Sequence, residues 1–574
     1  MPLNIQKTAI TFRFAFATLC WVLAWLFPYA EGGVPDLQSQ VFMLLMLVLG
    51  ALALGMARLH SLVWLGMGLA SWVLWSTVNP YLGTKLAGIS GMCLLGIACA
   101  VGASLRLQPR KQEVFLYAVV LAASINALQG LLQWFDLTGE LYRWMSVPEQ
   151  RGTAYGALRQ RNLFATFLCV GLLCTLWLVY LRKLTSSMAW LVVALLTQGV
   201  AASGSRTGLL QVIVIAVLGV YWWRALPRML AYLMVGQLLL LAAWSAWLPI
   251  AARLHGFEFV TGVGRVAQTA QDTRLVIWRN AINLILERPW FGWGWRELPY
   301  GRYNTVMDPY YHGLLDHAHN LPLQLAVELG LPITCLLGIG SLYGLYKGKF
   351  WRSDGLDTYG RAEPGTGRQF AWGILVLIVG VHSMLEYPLW SFGFLFLSGV
   401  AVGYLMPMVH INPAHRVVNG LHKALSLGCA AAILGLGSLA WVQYERLKPI
   451  YKTPFTNNIE LKRSYLNVAL ERASDAWLFQ GALDFATLTN YDINPSNAMQ
   501  VRHLAEKLLH FSPEPVVVLP LLQSLWITGD FDALRYHGNR FCQAYPEYPQ
   551  LWRRRGSMNP MTVFMLKNVD HCTS

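Results

Sequence analysis

The sequence predicts an all-α polytopic membrane protein with about thirteen transmembrane helices, a large periplasmic loop and a C-terminal periplasmic helical domain. Three observations predict it. The 574 residues are 55% hydrophobic and only 13% charged, where a soluble domain carries about a quarter charged residues. Apolar runs of about 20 residues, each long enough to cross a hydrocarbon core of roughly 30 Å, recur along most of the chain. The runs are continuous rather than alternating, which excludes a β-barrel.

The spans fall at 9–29, 38–57, 61–78, 86–105, 113–135, 162–181, 187–203, 208–223, 229–250, 320–345, 370–387, 388–406 and 424–444. The first contains Arg13 and leads into others, so it reads as a membrane helix and not as a cleaved signal. With the N-terminus in the cytoplasm, the inside segments 106–112, 182–183, 224–228, 347–369 and 410–423 all carry Lys or Arg. The short outer loops 30–37 and 79–84 carry none. This asymmetry sets the orientation. It divides the chain into spans one to nine (1–250), a periplasmic loop (251–319), spans ten to thirteen (320–444) and a periplasmic helical domain (445–574). Helix pairs in the last region resemble tetratricopeptide repeats, but no clean 34-residue period emerges. A stabilising cap and a partner-docking module are both open for it.

The net charge of +15 is accounted for by basic cytoplasmic loops and by attraction to anionic membrane lipids, not by nucleic acid. Seven of the nine cysteines lie in or beside apolar runs. Cys542 and Cys572 lie in the C-terminal region, where an oxidising compartment would allow them to pair. The chain has no CxxC and no HExxH, and no metal or cofactor is expected.

Polar residues gather on the outer side. In "RGTAYGALRQRN" (151–162), Arg151, Gln160, Arg161 and Asn162 crowd the start of span six, where charge needs water, lipid phosphate or a ligand. Interfacial anchoring is the plain alternative. "SGSRTG" (203–208) places Arg206 at the outer interface among small residues that permit close backbone approach, with snorkelling as the alternative. The long loop carries "QDTRLVIWRNAINLILERPWFGWGWRELPYGR" (271–302). Asp272 suits an N-cap, and Arg274 and Trp278 share a helical face, followed by Arg279. Arginine forks bind phosphate oxygens, and tryptophan faces stack on sugars or sit at a membrane interface. An amphipathic interfacial helix explains the tryptophans, but not so many outer arginines.

In "HAHNLPLQLAVELG" (317–330), His317 and His319 lie in the loop, Asn320 caps the following helix and Pro322 occupies its first turn. That puts His319 at a helix N-terminus, whose N–H donors suit a diphosphate and whose field favours the neutral imidazole that a base needs. A plain capping turn accounts for Asn320 but not for two histidines. "SMLEYPLW" (383–390) adds Glu386 and Tyr387 at the outer end of span eleven. Together these groups suit an anionic, amphipathic, sugar-bearing ligand such as a polyprenyl diphosphate carrying a glycan.

These motifs, in this order, resemble the bacterial O-oligosaccharyltransferases of the PglL type, within the O-antigen ligase/polymerase (Wzy_C-like) superfamily. The resemblance covers nearly the whole chain and rests on "RGTAYGALRQRN", "SGSRTGLL", "TRLVIWRNAINLILERPWFGWGW", "HAHNLPLQLAVELG" and "LEYPLW". It implies en bloc transfer of a glycan from undecaprenyl diphosphate to a Ser or Thr of a periplasmic protein such as a pilin, at the Gram-negative inner membrane. It assigns catalysis to His319, Gln160 and Tyr387 and the ligase arginines to Arg206 and Arg274. One departure is "QRN" where many relatives have "QPN", so Arg161 adds a charge beside the amide. On the residues themselves, Arg279, Arg161 and Arg151 are further diphosphate candidates, and His317, Asn320, Asn162, Glu386 and Trp278 are supporting ones. An O-antigen ligase or polymerase would share the donor site. A lipid-linked glycan transporter would show internal repeats and midplane charges, which are not evident here.

Overall fold

The computed structural model describes the chain except for residues 1, 28–35, 58, 60, 140, 142–144, 149, 224–225, 263, 265–272, 306, 308–314, 349–366, 407–415, 453–458, 491, 556–558 and 574. The expected N-cap Asp272 lies outside the described residues. So do most of the loop 30–37, most of the basic segment 347–369 and part of segments 224–228 and 410–423.

Every regular element among the described residues is helical. In chain order they are α1 (Pro2–Ala24), α2 (Asp36–Leu54), α3 (Ser61–Trp75), α4 (Leu82–Leu107), α5 (Pro109–Trp134), α6 (Arg161–Tyr180), α7 (Ser186–Ser203), α8 (Arg206–Tyr221) and α9 (Arg228–Leu254). Then come α10 (Thr273–Glu287), α11 (Leu298–Asn304), α12 (Leu321–Leu329), α13 (Leu331–Lys347), α14 (Arg368–Leu375), α15 (Phe392–Leu405) and α16 (Arg416–Tyr451). The C-terminal region adds α17 (Ile459–Ala473), α18 (Gln480–Leu488), α19 (Ala498–Leu508), α20 (Pro515–Thr528), α21 (Phe531–Ala544), α22 (Glu547–Arg555), α23 (Pro560–Asn568) and α24 (Asp570–Thr573).

Among the described residues, seven helices are long and apolar enough to cross a bilayer: Leu37–Leu54, Leu82–Leu107, Pro109–Trp134, Arg161–Tyr180, Ser186–Ser203, Arg228–Leu254 and Gly420–Tyr451. Shorter apolar helices at Ile10–Ala24, Val63–Trp75, Arg206–Tyr221, Arg368–Met384 and Phe392–Leu405 fall on five further expected spans. The chain is a multi-pass helical membrane protein.

The contacts divide it into two compact units. The first comprises Met1–Ala70, Ser90–Ala270 and Tyr343–Leu439. Its core centres on α6, where Phe164, Phe167, Leu168 and Cys169 are fully buried. α4 and α15 touch through their backbones: a methyl at Gly102 would overlap the Val400 carbonyl, and one at Gly403 the Cys99 carbonyl. Small residues are what allow membrane helices this close.

The second unit comprises Ser71–Ile89, Gln271–Leu342 and Ala440–Ser574. The described residues of the long loop after 272 belong to it: α10, α11 and α12 share a core of Ile277, Leu284, Trp293, Leu298, Ala318 and Val327. The C-terminal helices build a second core around Val501, Leu521, Leu525 and Phe541, which also takes in Tyr81 and Tyr303. Polar bonds reinforce this grip on α11. Tyr303 Oη lies 3.0 Å from His537 Nδ1, and Arg540 Nε donates to Asn304 O at 3.0 Å.

One expected element differs. The run 320–345 is two helices, not one span. Gly330 breaks it at φ +82, and a side chain there would overlap the Trp290 carbonyl. The last carbonyls of α12 leave the helical pattern because Trp293 N–H donates to Val327 O (2.8 Å) and Gly294 N–H to Glu328 O (3.0 Å). α12 therefore packs as part of the loop's own core.

Cys542 and Cys572 form a disulfide across 30 positions of sequence, tying α21 to α24. Closing a loop of that size stabilises by about 2–4 kcal/mol. The Cys542→Ser/Cys572→Ser variant should lower the opening free energy of α21 by about that amount, read by hydrogen exchange.

Candidate functional site

The residues expected at the site fall in both units. In the first unit Ser146 and the loop 150–160 are pinned by two buried amides of α5. Gln133 Nε2 donates to Ser146 O and Gly156 O, both at 2.9 Å. Its Oε1 accepts from the N–H groups of Tyr155 (3.0 Å) and Gly156 (2.8 Å). Asn126 Oδ1 accepts from Ala157 N–H at 3.0 Å. Every hydrogen-bonding position of Gln133 is used, so the loop is held in one shape.

That loop delivers Gln160 to the start of α6, where its Oε1 caps the helix by accepting from Leu163 N–H at 2.5 Å. The cap uses only the carbonyl end of the amide. Asn162, two residues on, joins three of the sequence motifs. Its Oδ1 accepts from Ser205 Oγ at 2.6 Å, and its Nδ2 donates to Glu386 Oε1 at 3.3 Å. Ser205 in turn caps α8 through Gly208 N–H at 3.0 Å. The N-termini of α6 and α8 are thus tied together, and each begins with an arginine, Arg161 or Arg206. A cation in the first helical turn opposes the helix dipole. Two of them beside N–H donors suit a site that takes an anion.

Arg206 and Tyr387 are exposed, and the Tyr387 ring lies 5.3 Å from that of Trp390. Arg151 pairs with Asp136 at 2.8 Å, both largely exposed, a contact contributing at most about 1 kcal/mol.

Behind Asn162 runs a second buried network that the motif reading passed over. Gln211 Nε2 donates to Leu377 O at 2.9 Å, within a π-turn (Val376–Val381). Thr166 Oγ1 donates to Gln211 Oε1 at 2.9 Å. The Thr166 oxygen then accepts from His382 Nδ1 at 2.8 Å. The direction of each bond fixes His382 as the Nδ1–H tautomer. A π-turn inside a helix is a frequent mark of a functional site. The signal available in the sequence was a histidine within an apolar span.

In the second unit, Arg274 and Trp278 are half-buried on α10 and Arg279 is exposed. Asn320 Oδ1 caps α12 by accepting from Leu323 N–H at 3.1 Å, with proline in the first turn, as the sequence predicts. His319 precedes it at φ +49, a conformation that non-glycine residues hold only when their surroundings impose it. His317 is buried, its Nε2 3.6 Å from Asp316 Oδ1, and the two imidazoles meet edge to face at 4.0 Å.

The constraint on this loop comes from two residues outside the expected set. Gln324 Oε1 accepts from Ala318 N–H at 2.6 Å, and its Nε2 donates to Glu328 Oε1 at 2.8 Å. The same Glu328 oxygen accepts from Arg296 N–H at 3.0 Å. Gln324 thus grips the backbone immediately before His319, and Glu328 holds Gln324 in place.

Burial pushes the Glu328 carboxyl up to about 7, with Arg296 and the Gln324 amide opposing the rise. Its ordinary value is 4.5. The folded chain therefore holds a proton that the unfolded chain releases, so stability is greatest below the ordinary value and falls as pH rises through the folded one. Glu328→Gln should remove that slope, read as the opening free energy of α12 by hydrogen exchange at about pH 5 and about pH 8.

Residues 191–338, which include Arg206, Arg274 and His319, match the family described as O-Antigen ligase. Residues 369–558, which include Glu386 and Tyr387, match the family described as Virulence factor membrane-bound polymerase, C-terminal. A General O-oligosaccharyltransferase of Acinetobacter baylyi is 25% identical over 345 residues, 58% of this chain and 56% of that protein. The match thus spans little more than half of the relative's length. Both the SRTG motif and the histidine loop lie within the segment similar to the O-antigen ligase family.

Proposed function

We propose that this chain transfers a glycan en bloc from undecaprenyl diphosphate to Ser or Thr hydroxyls of periplasmic proteins such as pilin. The observation that carries the reading is the Asn162 tie. Two helix N-termini, each opening with an arginine, are drawn together where an anion is the fitting occupant. The similarity to a General O-oligosaccharyltransferase supports the choice of a glycan donor and a protein acceptor.

Arg206 and Arg161, with Arg274 and Arg279 on α10, neutralise the diphosphate, so its departure needs no metal ion. His319 takes the proton from, or orients, the acceptor hydroxyl. The hydroxyl oxygen bonds to the anomeric carbon as the bond from that carbon to the diphosphate oxygen breaks, and undecaprenyl diphosphate leaves. Attack opposite the leaving group inverts the anomeric centre. Gln160, Asn162 and Tyr387 position sugar or acceptor. Orientation follows the basic loops, with the N-terminus cytoplasmic and the C-terminal helices periplasmic in the inner membrane. The Cys542–Cys572 disulfide suits an oxidising compartment.

The test is intact-protein mass spectrometry of a co-expressed periplasmic pilin in cells supplying one defined lipid-linked glycan. Wild type should add one glycan mass. His319→Ala, at equal expression, should reduce transfer by about 10²–10⁴-fold or more. The same glycan on lipid A core, with none on protein, would assign the chain to ligase chemistry. Full activity in His319→Ala would overturn the base assignment.

A further inference from the structure

α10 is apolar on two faces. Ile277, Ala281, Leu284 and Ile285 face the core it shares with α11 and α12. On the opposite side, Leu275, Ile282 and Leu286 recur at helical spacing and are 61%, 47% and 71% exposed. The chain then turns at a tip where Trp290 is 71% and Phe291 90% exposed. Exposed apolar surface of this extent, arranged in one line, calls for a covering partner.

The neighbouring helix says which partner. Leu331 N–H, at the start of α13, donates to Pro289 O at 2.8 Å. A side chain at Gly330 would overlap the Trp290 carbonyl. The tip is therefore fastened to the first residues of α13. That helix buries none of its own residues, and Leu336, Ile339 and Leu342 are 65–70% exposed. In a multi-pass membrane protein a helix this apolar and this bare is covered by hydrocarbon. Trp290 and Phe291 then sit at the depth where α13 meets the bilayer, the level that tryptophan prefers. Arginines border the strip as lipid phosphates require: Arg279 is exposed along it, and the Arg288 guanidinium lies over the Trp293 ring at 3.9 Å.

We infer that the Leu275–Ile282–Leu286 strip and the Trp290–Phe291 tip form an interfacial anchor inserted into the phospholipid of the bilayer surface. The anchor holds α10, with Arg274, at the level of the lipid phosphates. On the transferase reading this is also the level of the donor's diphosphate, and only that consequence rests on that reading.

The experiment uses the full-length chain in phosphatidylethanolamine/phosphatidylglycerol nanodiscs, with the photoreactive substitutions Leu286→p-benzoylphenylalanine and Phe291→p-benzoylphenylalanine. Met499→p-benzoylphenylalanine, at an exposed position of α19, is the control. Mass spectrometry should find phospholipid adducts at 286 and 291 and none at 499. A dimer of the chain, an adduct of added pilin, or no lipid adduct at 286 and 291 would each overturn the anchor. A second measurement reads the consequence. Trp290→Ser/Phe291→Ser should raise the apparent KM for a bilayer-embedded donor by about tenfold and leave kcat for a short-chain donor in detergent unchanged. An unchanged KM would sink the consequence alone. Wild type that transfers nothing would sink the transferase reading, and the lipid adducts would still decide the anchor.

Discussion

Hydrocarbon offers no hydrogen bonds, so every polar group that enters it must be satisfied by the chain itself. The first unit follows from this constraint. Its backbone closes into helices, and several of the polar side chains left inside bond one another or the backbone. Gln133 and Asn126 hold the loop that leads to α6, and Thr166, Gln211 and His382 form a directed chain beside it. Such groups are costly when half-satisfied and rigidifying when complete. Here they fix the approach to the N-termini of α6 and α8, which Asn162 then joins. The polar mouth and the apolar core are two results of one requirement.

The second unit solves a different problem. A histidine in a strained backbone conformation needs support that does not depend on its own side chain. Gln324 provides it by bonding the preceding peptide, and Glu328 anchors Gln324. Burial raises the Glu328 carboxyl to about 7, so it steadies the loop while carrying less negative charge than an exposed carboxylate would. The C-terminal helices contribute by gripping α11 through Tyr303 and Asn304, which gives that region a structural part in the folded loop whatever partner it also meets.

The bulk of the helices and the start of α12 were legible in the sequence, because their signals are local. An apolar run long enough to cross a bilayer has one low-energy conformation there, the helix. Asn320 and Pro322 mark a helix start through groups within three residues of one another. Span ten was not legible. The apolar pattern runs on through Gly330, and composition carries no trace of Trp293 and Gly294 bonding the carbonyls of Val327 and Glu328.

The sequence by itself determined the membrane class, the helical architecture and the residue types able to handle a diphosphate, since these follow from local hydropathy and side-chain chemistry. Only the tertiary structure decided which residues of distant motifs meet. Asn162 reaches Ser205 across 43 positions and Glu386 across 224, and His382 meets Thr166 across 216. Partners that distant are chosen by helix packing, which depends on the shapes of all the intervening side chains at once.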